Sequence, residues 1–438
     1  MALKLYHPSQ RTIGRALTLV VISLLALLLR FLGPLPQMAS STMLLGFLLL
    51  AAFVAGELAR DIKLPRITGY MVIGILFGPY TLGLVPRQTV NDFRLINEIA
   101  LSVIALQAGG ELHFQRLKER LLSISLITTF QIVITLGGVA AVVFLGRDLF
   151  PFLAQQSYRA ILAIALIFGL VAVAKSPATT IAVITEMKAR GPLTDTVLSV
   201  SVLKDVIILL LIAVLLPTAT ILVDPSRGFD FGQLGEISQA IAISLVLGGV
   251  IGWLIGLYLA KVNIQPILFV LGVAFLSIEL AHSLELESES FIVMSMAAGF
   301  VVQNFSVQGP TFVSALEANS LPLYALFFAV AGAGLRLDVI PDVWRVGLLI
   351  LVARMVLIYV STYVGAALSH DLPVIRRYAW MGFLAKAGVT LGLATIVQDR
   401  FPPWGEEVAV IIIAMIAVNQ LIGPPLFRYS LVRAGEVR

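Results

Sequence analysis

Four basic side chains and one acid fall inside long apolar stretches of this sequence: Lys175, Lys204, Arg354 and Lys386 against Asp205. An ionisable group in such a setting is costly unless it is paired or wetted, so each is a candidate functional group. A carboxylate at 205 that alternately takes a proton and a cation gives exchange with no further machinery. Hard cations such as Na⁺ need oxygen ligands, by extension of the rule for hard divalent ions. Asp205, the hydroxyls of Ser176 and Thr179 and freed backbone carbonyls can supply them, making a monovalent cation at Asp205 the expected cargo. The structural alternative is that Asp205 is permanently paired with Arg354 or Lys204. Neighbours in a helix point about 100° apart, so Lys204 can pair elsewhere or act as a second titrating group. The four histidines (His7, His113, His282, His370) lie near interfaces or termini, which argues against a histidine proton carrier.

The setting follows from composition. The 438 residues are 59% hydrophobic and 13% charged, with a mean hydropathy of +0.99. A soluble domain carries about 25% charged residues. The deficit excludes a soluble enzyme, a disordered regulator or a nucleic-acid binder. The formal charge of +5 is read as membrane topology. With no cysteine, thiolate metal sites, thiol nucleophiles and disulfides are excluded. No enzyme activity and no cofactor is expected, and no nucleic-acid partner. The lipid bilayer is.

Apolar runs predict fourteen helices, at about 14–34, 42–60, 66–84, 94–112, 120–145, 158–187, 193–216, 238–260, 264–283, 290–304, 320–336, 343–367, 376–398 and 406–428, each near the roughly 20 residues a span needs. The first could instead be a secretory signal, since basic residues precede it and small ones follow at Ala39–Ser41. Its apolar run continues through Leu35, which favours a helix. Seventeen Lys and Arg lie on the side shared by both termini and nine on the other, which places both termini in the cytoplasm. Glu57, Glu98, Glu111 and Glu279 lie nearer helix ends, where solvation explains them. No cytosolic nucleotide-binding or regulatory domain is expected after the last helix.

Two pairs of segments match. Gln107–Phe114 resembles Ala331–Asp338, and Ala174-Lys-Ser-Pro-Ala-Thr179 resembles Ala385-Lys-Ala-Gly-Val-Thr390. Partners lie seven helices apart, so they cross the membrane in opposite senses, the signature of inverted repeats. The expected layout is an extra helix in 1–41, a first repeat at 42–216, a linker with a connector helix at 217–263, a second repeat at 264–428 and a short cytoplasmic tail at 429–438. Pro177 interrupts the sixth helix and Ala387-Gly388 sits at the equivalent place in the thirteenth. Either is an ordinary kink and a packing glycine, or both are broken helices forming a site at mid-membrane. In the second case Lys175 and Lys386 end the first half of each helix, where an ammonium offsets the negative end of the dipole.

On these residues the chain resembles the monovalent cation:proton antiporter superfamily, most closely its second bacterial branch. The likeness covers about 42–428. Leu64–Pro79 looks like the stretch after that branch's first core helix, Gln107–Phe114 like its helix-ending Ala-Gly-Leu-Glu-Leu, and 321–338 like the matching segment of the second half. Lys204-Asp205 stands where the family has Asp-Asp, Asn-Asp or Gln-Asp. Arg354 lies on the helix where many members carry a base that pairs with the ion-site acid. The resemblance implies an all-α polytopic fold with two crossing broken helices and a homodimer in the inner membrane, each protomer having a core that moves against a dimerisation domain. It also implies Na⁺, K⁺ or Li⁺ competing with protons at Asp205. The lysine at 204 departs from that pattern.

Cation:proton antiport is the leading expectation. Proton-coupled anion transport through the lysine-rich site and a non-transporting sensor with Asp205 locked in an ion pair are the alternatives.

Overall fold

The computed structural model describes residues 10–31, 37–226, 231–262, 265–286, 290–386 and 388–437. Regular structure among them is helical. In chain order the α-helices are α1 (Gln10–Phe31), α2 (Gln37–Asp61), α3 (Arg66–Phe77), α4 (Arg87–Asp92), α5 (Arg94–Glu111), α6 (Phe114–Glu119), α7 (Leu121–Leu145), α8 (Tyr158–Val173) and α9 (Pro177–Met187). They continue with α10 (Pro192–Val223), α11 (Phe231–Lys261), α12 (Pro266–Ser283), α13 (Ser290–Phe305), α14 (Gly309–Ala333), α15 (Ile340–Leu368), α16 (Pro373–Tyr378), α17 (Gly388–Arg400) and α18 (Gly405–Ala434). A 3-10 stretch, Ala379–Phe383, prolongs α16. Eight spans among the described residues are long and apolar enough to cross a membrane, with four shorter apolar helices beside them. The chain is an integral multi-pass membrane protein.

Several boundaries differ from the hydropathy reading for identifiable reasons. Helix α3 stops at Phe77 because Gly78 turns extended ahead of Pro79, leaving 12 residues, or roughly 18 Å. Helix α14 begins eleven residues before the apolar run at 320, since Glu317 and Asn319 lower hydropathy without breaking the helix; Asn319 bonds the Ala315 carbonyl a turn back. Helix α10 continues through Pro217 to Val223 and α18 through Pro424-Pro425 to Ala434, as membrane helices tolerate proline. Most of the expected tail is therefore helix. Beyond it, the buried Glu436 carboxylate accepts from the Leu193 and Thr194 N–H groups and the Thr194 hydroxyl, each at 2.7 Å, capping α10.

The chain divides into two compact units, Met1–Ala100 with Ser320–Asp338, and Leu101–Asn319 with Val339–Arg438. In the first, α1 packs on α2. Arg15 holds Glu57 at 3.0 Å and Asp61 at 2.7 Å, while Arg60 and Arg66 also pair with Glu57. Glu57 is thus the hub of three arginines rather than a solvated helix end, because α1 delivers the third. Helices α3 and α14 meet without room for side chains: a Cβ on Gly74 would lie 2.0 Å from the Ala329 carbonyl and one on Gly332 2.4 Å from that of Met71.

In the second unit the same device joins α5 to α13. A Cβ on Gly109 would lie 1.9 Å from the Met296 carbonyl and one on Gly299 2.0 Å from that of Leu106. The matching motifs at 107–114 and 331–338 therefore each supply one glycine of a backbone-to-backbone helix contact. Helix α7 packs between α8 and α15, α10 against α8, and α17 on α18. Its buried stripe carries Thr128, Gln131, Thr135 and Val139, spaced as one face of a helix. From this stripe Gln131 reaches the site, accepting from Lys204.

Candidate functional site

The site forms where two helices are interrupted. After Val173 the chain runs extended through Ala174 and Ser176 before α9 starts at Pro177. Pro177 fits the first position of α9, where a missing N–H costs nothing. Ser176 caps it, its hydroxyl accepting from the Thr179 N–H at 3.2 Å. On the other side, the 3-10 stretch ends at Phe383, Leu384–Lys386 are non-helical and α17 begins at Gly388. Ala387 lies outside the described residues. The two interruptions touch, the Ser176 N–H donating to the Ala385 carbonyl at 2.9 Å. Gln107, in the first motif, reaches α9 by donating to Thr185 at 2.8 Å.

Arg354, fully buried on α15, closes the exposed helix ends. Its Nε donates to the Ala172 carbonyl at 2.8 Å, Nη1 to the Leu384 carbonyl at 3.0 Å and Asn419 Oδ1 at 2.7 Å, and Nη2 to the Ala174 and Phe383 carbonyls at 3.4 and 3.2 Å. Guanidinium carries five N–H donors, and all five are engaged. Arg354 is therefore not the ion-pair partner of Asp205: a cation suits the negative ends of helices, and two such ends claim it. Lys386 Nζ donates to the Val171 carbonyl, in the last turn of the other broken helix rather than at the end of its own.

The remaining lysines behave differently. Lys175 is not on a helix-end carbonyl, as its position suggested; it donates to the hydroxyls of Thr180, at 2.8 Å, and Ser201. Arg354 and Lys386 already occupy the helix ends. Lys204 Nζ donates to Gln131 Oε1 at 2.8 Å. Both ammonium groups lie over the Phe383 ring, 5.7 and 5.8 Å from its centre. Asp205 Oδ1 is buried and accepts no hydrogen bond among the described residues. Buried polar atoms are nearly always bonded, so an acceptor left in this state is a position for a proton, a water or a cation. Ser176 and Thr179 hydroxyls bond each other at 3.1 Å, and Thr179 also reaches Gln420 Oε1 at 3.3 Å. They do not bond Asp205. Of the carbonyls at the interruptions, those of Val171, Ala172, Ala174, Phe383, Leu384 and Ala385 already accept hydrogen bonds from Lys386, Arg354 or the Ser176 N–H.

Residues of this arrangement that carry no mark in the sequence reading include Gln131, Thr180, Ser201, Phe383, Asn419 and Gln420. The signal was available for three of them, since amides inside apolar spans require partners.

The family described as "Sodium/hydrogen exchanger, transmembrane" matches residues 47–428. YbaL of Escherichia coli (strain K12), a candidate cation/proton antiporter by its name, is 27% identical over 267 residues, 58% of this chain and 44% of its own length. An uncharacterized protein of Methylorubrum extorquens encoded in the phaC 3' region is 43% identical over 67 residues, 15% of this chain and 22% of its own. The chain thus matches less than half the length of these relatives. Two structures of the sodium proton antiporter MjNhaP1 from Methanocaldococcus jannaschii share the fold. One, at pH 8, gives a TM-score of 0.63 at 19% identity, covering 91% of this chain and 96% of that one. The other gives 0.69 at 18%, covering 92% and 100%. With a match along most of its length, the chain belongs to the transmembrane sodium/hydrogen exchanger family.

Proposed function

We propose that the protein exchanges a monovalent cation for protons across the bilayer, with Asp205 carrying one or the other in turn. The observation behind this reading is the buried, unbonded Asp205 Oδ1 beside two interrupted helices. Arg354 has all five donors directed elsewhere, and Lys204, Lys175 and Lys386 each donate to a partner other than Asp205. Cargo is a small hard ion such as Na⁺, K⁺ or Li⁺, held by the carboxylate, with water and the Ser176 and Thr179 hydroxyls offered to complete its shell. Lys204 sets the positive potential against which the cation competes. Each half, 42–216 and 264–428, contributes one interrupted helix and one motif glycine (Gly109 or Gly332) to a close contact with a helix of the other half, which supports reading them as inverted repeats that rock about Asp205 in alternating access. A homodimer in the inner membrane, with both termini cytoplasmic, completes the proposal.

Anion transport draws support from the surplus of bases. That surplus shrinks once Arg354 and Lys386 are assigned to helix ends, leaving two lysines against one acid. The deciding experiment is proteoliposomes with an imposed pH gradient and a trapped pH dye. Addition of Na⁺, K⁺ or Li⁺ should collapse the gradient in the wild type, and Asp205→Asn should lower the rate at least a hundredfold. Wild type unresponsive to every cation, or Asp205→Asn indistinguishable from it, sinks the proposal. Anion-dependent uptake lost in Lys204→Ala without cation dependence would put the anion reading in its place, and ligand-dependent thermal stabilisation without flux would put the sensor there.

A further inference from the structure

Lys204 and Asp205 are adjacent, and an ammonium next to the carboxylate that would carry the cargo is the natural competitor of any cargo cation. Something must hold the lysine off. Lys204 is 1% exposed, and its Nζ donates to Gln131 Oε1 on α7 at 2.8 Å. The other end of that amide donates from Nε2 to Thr362 Oγ1 on α15 at 2.7 Å. Thr362 in turn donates its hydroxyl hydrogen to the Ile358 carbonyl at 2.6 Å, one turn back on the same helix.

This chain has only one workable direction. A hydroxyl has one hydrogen, and that of Thr362 is engaged on Ile358, so towards Gln131 its oxygen can only accept. The amide nitrogen must therefore face Thr362, and the amide oxygen must face Lys204. Reversing the amide would set its N–H groups against the ammonium, donor to donor, and leave Thr362 facing an acceptor with no hydrogen to give. All the residues are buried, Gln131 and Thr362 completely, so water does not compete for these bonds. A neutral oxygen orients the ammonium without cancelling its charge.

We propose that Gln131 is a positioning residue for exchange at Asp205: its polarised amide anchors the Lys204 ammonium away from the carboxylate, so that a cargo cation, and not the adjacent lysine, neutralises Asp205. The proposal rests on the exchange reading above. It assigns to α7, which carries no charged residue, control over the apparent affinity for the cation.

Gln131→Met keeps the length and flexibility of the side chain and removes the anchor. Released, Lys204 competes for Asp205. The half-saturating cation concentration in proteoliposomes should rise at least tenfold, with most of the effect there and little in the maximal rate. Lost packing would act alike whatever stands at 204, so the discriminating measurement is a cycle with Lys204→Met, read as cation-dependent thermal stabilisation of the purified protein, which requires no transport. Lys204→Met alone should tighten cation binding at least threefold, and Gln131→Met added to it should change binding less than twofold. An equal loss on both backgrounds, or weaker binding in Lys204→Met, overturns the proposal. Thr362→Val leaves Gln131 in place but frees its amide to turn. It should shift affinity in the same direction, again only when Lys204 is present, and it tests the idea even if Gln131→Met does not fold. Wild type without cation-dependent flux is a failure of the exchange reading; active wild type with unchanged affinity in Gln131→Met is a failure of this inference alone.

Discussion

Arg354 shows why a formal charge count misreads a membrane site. A buried guanidinium and a buried carboxylate on nearby helices suggest an ion pair, yet the five donors of Arg354 go to four carbonyls and one amide. Backbone carbonyls released by the interruptions are neutral in the sequence and strongly negative in the fold. Lysine at 354 can reach at most three of the five oxygens from a single point. Arg354→Lys should therefore cost about 3 kcal/mol or more, read as a fall of many degrees in the thermal midpoint of the purified protein. A midpoint within about 2 °C of wild type would show that the network does little. The residue-scale features legible beforehand are those with charge or with backbone chemistry, such as Asp205, the lysines and Pro177. Gln131, Asn419 and Gln420 announce in the sequence that each needs a partner, but not which one. Only packing discloses that one serves Lys204, one Arg354 and one Thr179.

At the scale of elements, legibility tracks how local the cause is. Ser176-Pro177 is a cap followed by a helix starter, so the first interruption can be read from two adjacent residues. The second has no proline: its approach is a 3-10 stretch of ordinary residues, Ala379–Phe383, and its carbonyl Ala385 becomes meaningful only by accepting from Ser176. Glycine spacing is legible as pattern but not as purpose. The similarity of 107–114 to 331–338 is visible, whereas the partners of their glycines, Gly299 and Gly74, lie far away in sequence. Gly109→Ala would place a methyl group 1.9 Å from the Met296 carbonyl and 2.7 Å from the Phe300 nitrogen. Since the obstacle is backbone, α5 and α13 must separate. The expected loss is about 1–3 kcal/mol of stability, with faster hydrogen exchange in both helices. Unchanged protection in both would refute the contact.

For the whole molecule, hydropathy recovers the all-helical membrane architecture and nearly every long helix, because the bilayer imposes length and apolarity on each segment separately. It does not recover what crosses between distant segments. The cap on α10 is one such case: its acid, Glu436, sits 242 residues beyond Thr194. Glu436→Ala should lower stability by about 1–2 kcal/mol. The loss should appear as fraying of the first turn of α10 in hydrogen exchange, with the rest of the helix unaffected. No change at 193–194 would mean that another group satisfies those amides.

The Arg354 network also sets an order of events during synthesis. Ala172 precedes Arg354 by 182 residues, and Asn419 follows it by 65. At about 5–20 residues per second, a ribosome needs roughly 10–40 s to travel from the first of these to the second. Throughout that interval the nascent α8 has no arginine for its terminal carbonyls. It must wait where water can reach them, and the network can close only when α18, which carries Asn419, leaves the ribosome.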